Sequence, residues 1–355
     1  MDSPPAPERA TRTCAQRPVT ARNGNGNGRP APRPNFGDRL TEAVATRESQ
    51  IVLGIDPDPA KLWPAAVEAT SEARARLAST LSEAEDAAGG VGETISGPSA
   101  AGVISRLETA AAVLAHCRAL VDAAAPAVIA IKPQLACFER LGAPGWLALE
   151  HVCEHARARG LLVLADGKRG DVPVTAAAYG QALVGETETP WGSVDGLGAD
   201  AFTASPLLGD DAIEVLIEAA RAASAGVFLL VRTSNPGAAR LQDQLLGDHP
   251  LHEELAALVA EGAPLLAGES GLSGVGAVVG ATAPQHLGRL RQLMPDSIFL
   301  IPGIGAQGGK PEDLGPALAA GRPASILVAA SRSIAGADDP AAAADQLRTA
   351  VWGLG

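Results

Sequence analysis

Eight short aliphatic runs, each followed by polar, Gly or Pro punctuation and then a helix-like stretch, constrain this chain more than any other feature. They are Ile51–Ile55, Val128–Ile131, Leu161–Ala165, Ala201–Thr203, Val227–Val231, Val275–Val279, Ile298–Ile301 and Ile326–Ala329. Runs that are apolar throughout belong to strands covered on both faces, as in a parallel sheet layered with helices. Eight such α/β units predict a closed (β/α)8 TIM barrel; a doubly wound open sheet is the structural alternative. The 355 residues fit one barrel with additions. Aromatics are only 3% of a chain that is 46% hydrophobic, so aliphatic side chains must fill the core.

The units are unevenly spaced. Residues 1–34 are rich in Pro, Asn, Gly and Arg and read as a disordered low-complexity tail. They have no apolar core of a secretory signal. The folded domain is then 35–355, with a first helix from Asp38 to Ser49. An Ala/Glu/Ser/Gly-rich insertion, 64–105, separates the first two strands, and 186–198 and 240–274 exceed ordinary loop length. No apolar run reaches a membrane span, and a net charge of −12 argues against nucleic acid or an anionic membrane as partner. Cys14, Cys117, Cys137 and Cys153 lack CxxC spacing, so neither a disulfide framework nor a zinc knuckle is expected. These features predict a soluble, cytoplasmic protein.

In a barrel the chemistry gathers at the C-terminal ends of the strands. There stand Asp56, Lys132, Asp166 and Lys168, then Thr203, Ser205, Thr233, Ser234, Gly280, Pro302–Gly305, Ser331 and Arg332. Charged groups ending aliphatic strands are costly to desolvate unless paired or functional; a chance set of loop charges is the bland account. The centre is Asp166-Gly167-Lys168-Arg169-Gly170-Asp171. Positions 166 and 168 of an extended strand point the same way, and Asp171 on the next turn can come back toward Lys168. An ammonium flanked by carboxylates stays protonated, which suits a proton donor and not a Schiff-base nucleophile. The carboxylates would repel a substrate carboxylate placed beside them, and its departure as CO2 relieves that repulsion.

Gly303, Gly305, Gly308 and Gly309 permit close backbone approach to an oxyanion, and Arg332 adds a planar donor fork at the next strand end. Together they predict a phosphate site where barrels commonly have one. Other candidates are weaker. His151, Cys153 and His155 share an outer helix, where a solvated face competes with a zinc site. Trp63, Trp146 and Trp191 read as packing residues, and Arg169 faces either solvent or a dimer interface. No metal-ligand cluster is evident among the six His and four Cys, so no metal or organic cofactor is expected.

The D-x-K-x-x-D motif after a third strand, preceded by a strand-one Asp and a strand-two Lys, resembles the orotidine 5′-phosphate decarboxylase family. IKPQ, ADGKRGDVPVT, RTSNPGA, VVGAT, IPGIGAQGG and ASRSI together resemble its second, actinobacterial-type branch, from about Asn35 to Ala335. Gly167 stands where the family pattern leads us to expect Ala. The resemblance implies decarboxylation of orotidine 5′-phosphate to UMP, the last step of de novo pyrimidine nucleotide synthesis, without a cofactor. It implies that Lys168 protonates C6, with Lys132 and Asp166 completing the network. Asp171 and Thr175 would act in the neighbouring subunit's site of a homodimer. Asp56 and Lys132 would hold the ribose, Thr233 and Ser234 the pyrimidine edge, and Pro302, Gln307, Ser331 and Arg332 the 5′-phosphate. Two other functions are weighed against it. Sister Mg²⁺ sugar-phosphate enzymes share DxKxxD but need a further acidic residue where Lys132-Pro133-Gln134 stands. A non-catalytic phosphate-binding scaffold would have no use for the Lys/Asp array.

Overall fold

The structure, a computed structural model, describes residues 33–70 and 100–354. All eight aliphatic runs are barrel strands: β1 Ile51–Ile55, β2 Ala130–Pro133, β3 Leu162–Arg169, β4 Ala201–Ala204, β5 Gly226–Arg232, β6 Ser273–Val279, β7 Ser297–Pro302 and β8 Ile326–Ala330. Each pairs in parallel with its neighbours in sequence, and β8 closes onto β1 with Ile51 opposite Val328. The open-sheet alternative is thereby excluded. The principal helices are α1 Phe36–Arg47, α2 Ala100–Ala124, α3 Ala143–Ala158, α4 Pro173–Leu183, α5 Asp210–Ala222, α6 Leu251–Gly262, α7 Leu287–Leu293 and α8 Pro340–Trp352.

Strand alternation divides the core in two. Ile51, Leu53 and Ile55 of β1 and Ile326, Val328 and Ala330 of β8 face the helices, whereas Val52, Leu327 and Ala329 point into the barrel. The helix α1 closes the barrel's N-terminal end. Asn35 caps it by accepting from the Gly37 amide at 2.8 Å, and Glu48 ends it in the left-handed region at φ 48°. Phe36, Leu40 and Val44, spaced by four, form one stripe that enters the barrel interior. Phe36 meets Phe228 edge-on at 6.0 Å. Position 226 is Gly for this reason: a Cβ there would lie 2.5 Å from the Phe36 ring.

The irregular segments differ from expectation. Residues 186–195 form an antiparallel hairpin, Glu186–Thr189 with Gly192–Asp195. At its tip Trp191 is 92% exposed, so it packs little against the described residues. Trp146 is also exposed, while Trp63 does pack, edge-on to His116 with its indole N–H on Ala335 O at 3.1 Å. Residues 240–274 hold a short hairpin, Leu245–Leu246 with His249–Pro250, then α6 and a 3-10 turn. Of the insertion, Pro64–Glu68 is helical and α2 begins at Ala100; residues 71–99, like the tail 1–32, lie outside the described residues. No helix among the described residues is long and apolar enough to cross a membrane.

Candidate active site

The end of β3 is where the strand pattern breaks. Ala165 pairs with Phe202 and Arg169 with Ala204, so Asp166, Gly167 and Lys168 together face the single residue Thr203. This bulge carries β3 four residues past the last apolar residue of its run. Lys168 adopts φ 48°, in the left-handed region that side-chain-bearing residues avoid. Asp166 and Lys168 therefore meet through a bulge, whereas a regular extended strand was the expected cause. A Cβ on Gly167 would lie 2.8 Å from Leu135 Cδ1, the movable end of a side chain, so the structure does not explain glycine where Ala was expected.

Four donors converge on the buried Asp166 carboxylate. Lys132 Nζ pairs with Oδ2, where Gln134 Nε2 also donates at 3.3 Å. Lys168 Nζ donates to Oδ1 at 2.6 Å and Thr203 Oγ1 to the same oxygen at 2.8 Å. Burial opposes ionisation of Asp166, yet the two ammonium groups and their hydrogen bonds outweigh it and hold the carboxyl well below the ordinary range. Burial likewise disfavours a charged Lys132, but Asp166 and Asp56 overcome it and raise the ammonium above its usual value. The result is a fixed, alternating charge row at a half-open barrel mouth.

This row lines a cavity of about 580 Å³. The same cavity collects Asp56, Thr233, Ser234, Pro302, Gln307, Ser331 and Arg332 from the ends of four other strands, β1, β5, β7 and β8. Asp171 and Thr175 are absent from its walls; Asp171 accepts from the Val172 amide at 2.7 Å, and both residues stand partly exposed at the start of α4. The glycine loop after β7 departs from its expected role. Gly303, Gly305 and Gly308 all have positive φ, but the Gly305, Gly308 and Gly309 amides close the loop on itself, onto Gly309, Gly305 and Gly303 carbonyls at 2.8–3.0 Å. The glycines shape the loop, and the amides of Gly305, Gly308 and Gly309 are taken up inside it.

The model of the family described as orotidine 5′-phosphate decarboxylase / HUMPS matches residues 107–347. This chain belongs to that family. A relative from Roseiflexus castenholzii, named orotidine 5′-phosphate decarboxylase, is 35% identical over 317 residues, 89% of this chain and 94% of that protein. One of the same name from Rhodopirellula baltica is 44% identical over 228 residues, 63% of this chain and 73% of the other. The solved Leishmania donovani OMP decarboxylase superposes with a TM-score of 0.62 at 30% identity, over 90% of this chain and 98% of that one.

Against the family's decarboxylase site, the remaining candidates fall into place. His155 Nε2 contacts Asp122 at 2.7 Å, His151 pairs with Glu154, and Cys153 faces the core, so these three do not converge. Arg169, a quarter exposed, pairs with Glu139 and lies over the Tyr179 ring at 5.5 Å. One trio does gather ligand-type atoms within 4.8 Å, namely Asp243, His252 and His286, contrary to the expectation that no such cluster exists. Residues so distant in sequence, on the β5 loop, α6 and the β6 loop, give no spacing motif. Arg232 already holds the Asp243 carboxylate at 2.7 and 3.0 Å, and His252 Nδ1 is 2.8 Å from Gln242 O, so two of the three are already engaged by other groups. Gln242 was not anticipated at all. It reaches back from the β5 loop, accepting from the Thr233 amide at 2.8 Å, and lines the cavity with Gln134.

Proposed function

We propose that this barrel decarboxylates orotidine 5′-phosphate to UMP and CO2 in pyrimidine nucleotide synthesis in the cytoplasm, needing neither metal nor organic cofactor. The observation that carries the reading is the Lys132–Asp166–Lys168 row, desolvated on one side and open to a nucleotide-sized cavity on the other. A substrate carboxylate beside Asp166 is repelled by an anion that cannot be protonated at neutral pH. The C6–carboxylate bond breaks, CO2 leaves, and the electron pair stays on C6. The Lys168 ammonium delivers a proton to that carbon and regains one from water. No electron sink exists in the pyrimidine for this pair, so preorganised charge must lower the barrier, helped by binding energy at the remote phosphate.

In this reading Asp56 and Lys132 hold the ribose hydroxyls and Thr233 and Ser234 read the pyrimidine amide edge. Pro302, Gln307, Ser331 and Arg332 close over the phosphate. Asp171 and Thr175 serve the partner subunit's site in a homodimer. Val172 and Val174, exposed apolar side chains beside them, support that placement, because an interface would cover them.

Purified protein is assayed for loss of orotidine 5′-phosphate by ultraviolet absorbance, with and without EDTA. Turnover that EDTA leaves unchanged is expected. No turnover, or turnover lost to EDTA and restored by Mg²⁺, contradicts the proposal and favours the sugar-phosphate enzymes of the same family.

A further inference from the structure

We infer that Thr203 is a positioning residue for the proton donor: its hydroxyl fixes the left-handed turn at Lys168 and ties it to Asp166. The inference rests on the decarboxylase reading. In a regular parallel ladder each strand answers its neighbour residue for residue, but here three residues of β3 stand opposite Thr203 alone. Such a bulge leaves backbone groups without ladder partners. The Thr203 hydroxyl accepts from the Lys168 amide at 2.9 Å and donates to Asp166 Oδ1 at 2.8 Å. One oxygen thus satisfies the strained residue's backbone and one oxygen of the carboxylate that its side chain grips.

The consequence is geometric. Lys168 Nζ and Thr203 Oγ1 share Asp166 Oδ1, while Lys132 and Gln134 share Oδ2. Both carboxylate oxygens are therefore pinned, and the carboxylate cannot rotate when the ammonium gives up its proton. The left-handed φ of Lys168 stores strain that persists only while its surroundings hold it. Thr203, 1% exposed and β-branched, has a hydroxyl held in one orientation by the strand it sits on. Valine at 203 keeps the shape and removes both hydrogen bonds. Serine keeps the hydroxyl.

The test compares Thr203→Val, Thr203→Ser and Thr203→Ala with wild type. It measures kcat and KM for orotidine 5′-phosphate, the Kd for UMP, and the crystal structure of Thr203→Val. Thr203→Val should lose on the order of 10²-fold in kcat, the cost of displacing a reacting group by about 1 Å. Its affinity for UMP should stay within about threefold, because ground-state binding does not use the contact. Thr203→Ser should keep most of the activity, and Lys168 should leave the left-handed region in the Thr203→Val structure. Thr203→Ala, which introduces no clash, gives the same comparison if the valine variant does not accumulate. Wild-type kcat in the valine or alanine variant overturns the inference, as does a loss in serine equal to that in valine, a loss confined to KM, or a Lys168 that stays left-handed on Asp166. Wild-type protein in the same assay separates the two claims. An inactive wild type sinks the decarboxylase reading, while the position of Lys168 in the variant structure still decides the role of Thr203.

Discussion

The two ends of the barrel use their cations in opposite ways. At the N-terminal end Arg291 and Arg47 are spent on backbone carbonyls. Arg291 is buried, stacked 3.8 Å above the Phe299 ring, and donates to the Ala317, Met294, Ser297 and Ser325 carbonyls at 2.7–2.9 Å. Burial draws its guanidinium down to about 10, still far from neutral at physiological pH. Arg47 similarly ties α1 to the Ala125 and Arg159 carbonyls at 2.7 and 2.9 Å. At the mouth, Lys132 and Lys168 instead share one carboxylate beside an open cavity, and Lys168 is 42% exposed. The first arrangement ties helix and loop carbonyls together around the strand starts. The second leaves an ammonium facing the open cavity. The comparison teaches that fold and chemistry occupy opposite ends, as barrel architecture allows.

The largest effect that could break this division lies at the N-terminal plug. Phe36→Ala should cost about 3–5 kcal/mol of stability, the scale for truncating a buried aromatic, with kcat per folded molecule unchanged. Chemical denaturation and active-site titration check this, and a kcat loss without destabilisation would erase the distinction. At the mouth the balance reverses. Arg332→Ala should lose about 2–4 kcal/mol in kcat/KM while melting near wild type. The truncated nucleoside should lose little, since it never used the contact; equal losses on both substrates would make Arg332 structural.

A smaller effect sharpens where the mouth ends. Mixing inactive Lys168→Ala with inactive Asp171→Ala under verified subunit exchange should restore roughly a quarter of wild-type sites, because half the dimers are mixed and one site in each is free of lesions. No recovery would return Asp171 to its own subunit. The smallest effect concerns pH. The Asp166 carboxyl is depressed below its ordinary 3.8, so its stabilisation is fully present above that value and fades only as pH falls through the folded-state value. The stability difference between wild type and Asp166→Asn should stay constant from about pH 5 to 8 and shrink only in stronger acid. A difference that changes between pH 5 and 8 would mean the mouth does not hold Asp166 ionised.

The strands were legible because burial writes itself into composition. A strand covered on both faces must be aliphatic throughout, so Ile326–Ala330 and its counterparts stand out in the sequence. The mouth was legible where a strand carries its residue there directly, as with Lys132 and Asp166, and through the family resemblance for the loop residue Gln307. Gln242 comes from an irregular loop with no periodicity and reaches the cavity by folding back on Thr233. The left-handed Lys168 was illegible because a bulge depends on the register of two strands, and Thr203 has no local signature. The glycine loop misled for a related reason: glycine reports what the backbone is free to do, and here its amides close the loop.

The central claim is that Lys168 does chemistry and not structure, and Lys168→Ala measured for turnover and thermal unfolding together tests it most directly. Decarboxylation of orotidine 5′-phosphate should fall by at least about 10²–10⁴-fold, the contribution of a positioned proton donor, while the melting curve stays close to wild type. Near-normal turnover by the folded variant would contradict the account.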